Sequence, residues 1–148
     1  MTVPAQADVP GLWAGDGSLR DIYVSPTDLG DWDNFLSFSH QVGARYSFDG
    51  NEALLPTAAE IFENRTGSHL LVFDVDGVAA NCHFFTSDEI ELDIDPREIS
   101  SEAQHVSVLE FVSDLVAAVR KDATITPENS PDDPFLRLSA ATRTWVIT

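Results

Sequence analysis

Lysine and cysteine are nearly missing from this 148-residue chain, with Lys121 and Cys82 the single examples. Eight basic residues stand against 25 acidic ones, giving a net charge of −17. The chain therefore lacks the clustered Lys and Arg that grip phosphate backbones, which excludes nucleic acid as an expected partner. The same shortage excludes anionic membrane surfaces. One cysteine rules out an internal disulfide framework and fits a reducing, cytoplasmic setting. No apolar run approaches the length that spans a bilayer. The opening MTVPAQADVPG has neither the basic region nor the apolar run of a signal peptide. Four scattered histidines show no paired zinc spacing, and no 12-residue calcium loop occurs, so no metal or other cofactor is expected.

What is present organises around His69–Pro96, HLLVFDVDGVAANCHFFTSDEIELDIDP. Two apolar runs flanking Asp76-Gly77 predict a β-hairpin, because a type I′ turn needs φ > 0 at both central residues. Val75 then pairs with Val78, Phe73 with Ala80 and Leu71 with Cys82. Alternation places Leu71, Phe73, Val75, Val78, Ala80, Cys82 and Phe84 on one face, which must be the buried one. Ile90-Glu91-Leu92-Asp93-Ile94-Asp95 alternates apolar with acidic residues, the pattern of a half-buried strand. A short link, Ser87-Asp88-Glu89, would set Leu92 beside Phe84, His83 across from Asp93, Asn81 from Asp95 and Phe85 from Glu91. The opposite sheet face then carries Asp74, Asn81, His83, Glu91, Asp93 and Asp95.

The rest of the chain reads as one α+β domain over 11–148, after a flexible lead-in over 1–10. Its length is enough to bury roughly two-thirds of the unfolded surface. A short strand is expected around Leu12 and Trp13, and another over Leu19–Val24. Ser25-Pro26 is read as opening a helix whose buried face holds Trp32, Phe35, Leu36 and Ser39. Tyr46 to Leu54 reads as a small hairpin with a slightly longer loop. Thr57 and Glu60 have capping-box spacing for a short helix that Gly67 stops. Ser101 and Gln104 repeat that spacing ahead of the longest helix, Glu102 to Arg120. Its stripe of Val108, Leu109, Val112, Leu115, Val116 and Val119 is expected to lie across the apolar sheet face. Strands at 123–126, 135–138 and 144–147 complete a mostly antiparallel sheet, with one or two shorter helices on the same side as the long one.

Three constellations carry chemistry. Leu70 to Val78 resembles the first motif of haloacid-dehalogenase-type phosphatases, an apolar strand ending in Asp-x-Asp-Gly. That resemblance implies Asp74 as nucleophile, Asp76 as acid/base and a Mg²⁺ between them. The family places the motif on its first strand, follows it with a loop and helix, and needs a downstream lysine in its own setting; this chain departs on each count. His83 beside Asp93 has the form of a base and its orienter, yet no serine or cysteine is placed to join them, and Cys82 points to the apolar side. The third is the surface itself: His83, Phe85, Glu91, Asp93 and Asp95 form an acidic, partly aromatic patch suited to a basic protein partner.

Four strings, Gly17–Val24 (GSLRDIYV), Asn81–Thr86 (NCHFFT), Ile94–Glu98 (IDPRE) and Thr126–Pro131 (TPENSP), together resemble small uncharacterised bacterial proteins, some found near toxin genes as immunity proteins. The resemblance runs from about Leu12 onward and brings no catalytic residues with it. It implies a non-enzymatic, toxin-neutralising binder, with the Mg²⁺-dependent phosphatase as the alternative.

Overall fold

Asp76 and Gly77 take φ of 55° and 83° in the computed structural model, which describes residues 2–148. The turn folds the chain straight back, and Val75 pairs with Val78, Phe73 with Ala80 and Leu71 with Cys82, as the sequence predicts. In chain order the strands are β1 (Arg20–Val24), β2 (Arg45–Phe48), β3 (Asn51–Glu52), β4 (His69–Val75), β5 (Val78–Cys82), β6 (Ile90–Ile94), β7 (Ala123–Pro127), β8 (Leu136–Leu138) and β9 (Trp145–Ile147). The helices are α1 (Leu29–Gln41), α2 (Ala58–Glu63) and α3 (Glu102–Val119).

All nine strands join one sheet in the order β3-β2-β4-β5-β6-β1-β7-β8-β9, and every pairing is antiparallel. The fold is α+β, with 29% of residues helical and 27% in strands. β1 sits mid-sheet between β6 and β7. Because both neighbours run opposite to it, they run parallel to each other. Parallel strands need a long crossover, and α3 supplies it.

Every residue of the predicted apolar face, Leu71 through Phe84, is buried. So is the whole α3 stripe from Val108 to Val119. Six such aliphatic side chains contribute on the order of 10 kcal/mol gross, at roughly 2 kcal/mol each, before chain entropy is subtracted. Phe73 is the hub of the contact, with ring centroids 5.6 Å from Phe35, 6.0 Å from Phe38 and 5.0 Å from Phe111. Trp32 packs on Phe62 and Phe84, which brings α1 and α2 onto the same side of the sheet.

Several expectations are corrected. The loop between β5 and β6 spans residues 83–89 rather than three residues. Phe84 enters the left-handed region (φ 57°) and breaks the strand, while the Trp32 indole and the Thr27 hydroxyl both donate to the Ser87 carbonyl. The register therefore slips by two: Cys82 faces Leu92, and Asn81 faces Asp93. A two-residue slip preserves each side chain's face, so the inward and outward sets survive. Helix α1 starts at Leu29 on an Asp28–Asp31 capping box, not at Pro26. Residues 11–14 form turns, without a strand around Leu12 and Trp13. The β2–β3 turn is tight, with Asp49 and Gly50 at φ 49° and 80°. Helix α2 ends at Glu63, ahead of Gly67. Gly67 is there for space: a Cβ would lie 2.5 Å from both Asp49 Oδ2 and Phe48 Cζ. Ser101 caps α3, but the Gln104 carbonyl oxygen accepts from the Ser100 amide and hydroxyl.

Residues 2–10, expected as a flexible lead-in, make specific contacts. Val9 is buried. The His105 ring accepts from the Trp13 indole at Nδ1 (2.9 Å) and donates from Nε2 to the Pro4 carbonyl (2.8 Å). Arg20, 2% exposed, donates to the carbonyls of Gly11, Leu12, Ala14 and Leu19, which holds the segment before β1 in place.

Candidate functional site

The three helices cover one side of the sheet; the other side is polar. Across β5, β6 and β1 the outward residues in register are Asn81, Asp93 and Asp21, with Glu91 beside Tyr23 one step along. Asp93 is bracketed: Asn81 Nδ2 donates to its Oδ1 at 3.1 Å, and His83 Nε2 lies 3.2 Å from its Oδ2. The His83 ring stacks on Phe85, with centroids 5.4 Å apart and planes 26° apart. Phe85 is 61% exposed, the largest aromatic surface left open by the fold.

Four of the five residues read from the sequence as a binding patch thus gather here: His83, Phe85, Glu91 and Asp93. Asp95 is engaged otherwise. Its carboxylate forms an ion pair with Arg97 at 2.8 Å and caps the short turn Pro96–Glu98. Asp95 also does not face Asn81, since the register slip moves Asp93 there.

Two residues the sequence did not assign belong to the site. Asp21 and Tyr23 reach it because β1 inserts beside β6, a pairing between segments far apart in sequence. The only available signal was their position alternating with Ile22 and Val24. Asp21 is 2% exposed and accepts from the Asn129 amide at 2.8 Å, because the loop after β7 folds over it. The Tyr23 hydroxyl lies 3.1 Å from Asp21 Oδ2 and 3.2 Å from Glu91 Oε1. Burial raises the pKa of both carboxyls, and neighbouring acids add to it, Asp93 and Glu128 for Asp21 and chiefly Asp21 for Glu91. Burial likewise pushes the Tyr23 phenol upward, so it remains a hydrogen-bond donor.

The arrangement is poor in reactive groups. Burial drives the Cys82 thiol up to about 12, leaving it a neutral core side chain. Asp74 Oδ1 accepts from the Gly77 amide, and Asp76 Oδ2 from the Ser107 hydroxyl, so both acids of the Asp-x-Asp string hold the hairpin and dock it on α3. The chain after them returns as β5, in place of the loop and helix that the phosphatase motif requires. Among the described residues, no group of three or more His, Cys, Asp or Glu side chains converges as a metal site. None of the described helices is long and apolar enough to cross a membrane. Comparison with protein-family models, with curated proteins and with solved structures finds no match to this chain.

Proposed function

We propose that this chain is a non-enzymatic binding protein whose acidic sheet face occludes a basic protein partner, in the manner of an immunity protein neutralising a toxin. The observation that supports this most directly is the half-buried pair Glu91 and Asp93 on a sheet face without a helical cover, bordered by the stacked and exposed His83–Phe85 pair. Carboxylates attract and orient a cationic surface, while an exposed aromatic supplies the apolar anchor that charge alone lacks. The cytoplasmic setting belongs to the same reading.

The partner is to be captured from the native host with the wild-type chain. The double variant Glu91→Lys/Asp93→Lys should then bind that partner at least tenfold more weakly, about 1.4 kcal/mol, with an unchanged circular dichroism spectrum. Equal affinity in the folded variant would remove the proposal.

A further inference from the structure

A second polar feature lies where α3 ends. A cleft of about 640 Å³ opens there over Pro26, Val116, Ala117, Ala140 and Ala141. Its rim carries Arg120, Lys121 and Arg143, three of the chain's eight basic residues. We propose that this cleft binds a small-molecule oxyanion with an apolar body, gripped by the guanidinium groups of Arg120 and Arg143.

Three observations lead there. First, the cations come from separate elements. The α3 dipole accounts for Arg120 and Lys121 at a helix C-terminus, but Arg143 arrives from the turn between β8 and β9, so the helix alone does not explain the convergence. Second, the two arginines lack carboxylate partners in a chain with 25 acids. The four ion pairs among the described residues use Arg20, His83, Arg97 and Lys121. Lys121 is spent on Asp31 at 3.2 Å and on the Pro26 carbonyl. Arg143 donates only to Ser113, 2.8 Å from its hydroxyl. The acid on the rim, Asp122, is occupied in accepting from the Ala140 amide at 2.8 Å. Third, Arg120 and Arg143 both sit at positive φ, 64° and 55°. Glycine occupies such positions at lower conformational cost, so a long cation at both is a costly choice that function can explain.

The chemistry sets the ligand class. Guanidinium forks match phosphate and carboxylate oxygens bidentately. The cleft falls in the size range of small-molecule sites, and its alanine, valine and proline floor suits an apolar body.

Binding of 1-naphthyl phosphate to the full chain, followed by calorimetry, tests this against 1-naphthol and inorganic phosphate. Wild type should bind the naphthyl phosphate about tenfold or more tightly than either fragment. Arg120→Gly should lose most of that affinity while keeping or raising the thermal midpoint, because glycine fits the positive φ. Arg143→Gly should lose it as well, and Arg137→Ala, which removes a cation elsewhere, should not. Unchanged affinity in Arg120→Gly, or naphthol binding as tightly as its phosphate, would overturn the oxyanion grip. Inorganic phosphate binding as tightly as the naphthyl ester would overturn the apolar half. No binding by wild type would overturn both.

Discussion

The Tyr23 hydroxyl has one hydrogen to share between Asp21 at 3.1 Å and Glu91 at 3.2 Å. Both contacts are favourable only while one carboxyl keeps its own proton, which agrees in direction with the raised pKa of each acid. An acid whose folded pKa lies above its unfolded value stabilises the fold while protonated, and that contribution is lost as pH rises through the folded value. Asp16, Asp28, Glu60 and Asp95 are shifted the opposite way by their hydrogen bonds, so their contributions vanish only as pH falls below the ordinary carboxylate range near 4. Stability should therefore rise as pH drops from neutral through the raised range of Asp21 and Glu91, and fall again below the ordinary carboxylate range near 4. Asp21→Asn should flatten the rise from neutral and lift the thermal midpoint at neutral pH by a few degrees, roughly 2–4 °C per kcal/mol at this chain length. A midpoint that is lower in the variant at neutral pH, with the slope intact, would contradict this account.

Elements assembled from neighbouring residues were legible in the sequence. The Asp76-Gly77 turn follows from φ requirements, and the α3 stripe from 3.6-residue periodicity. The consequence of the stripe is measurable. Leu109→Ala, at a position wholly removed from solvent, should cost about 2–5 kcal/mol in denaturant unfolding with an unchanged m-value, since the cavity cannot close against a packed sheet. A loss under 1 kcal/mol would mean that the helix packs more loosely than its burial implies. What the sequence concealed lies where distant segments meet. Phe84 leaves the strand although its apolar character continues the alternation, because Trp32 and Thr27 hold the following backbone. Asp28 rather than Pro26 begins α1, because a carboxylate that reaches the Asp31 amide satisfies the helix start better than a ring that only fixes φ. Asp21 lies on a strand that the sequence predicts, but its burial comes from the loop after β7, which folds over it from a distant segment.

On the scale of the whole molecule the charge of −17 acts through distance. A domain of this length has a radius of gyration near 15 Å, roughly half the 30 Å screening length at 0.01 M salt. At that ionic strength most carboxylates repel one another across the fold, whereas at 0.15 M screening shortens the reach to about 8 Å. Salt should therefore raise the thermal midpoint, since it relieves self-repulsion that the expanded unfolded chain feels less. The same salt should weaken capture of a basic partner, chiefly by slowing association, because steering depends on the unscreened field. The opposite signs separate this account from general salting effects, which would move both quantities the same way. Midpoints and association rates measured across one salt series decide the matter. Association that does not slow with salt would mean that the charge serves the chain's own solubility and not its docking.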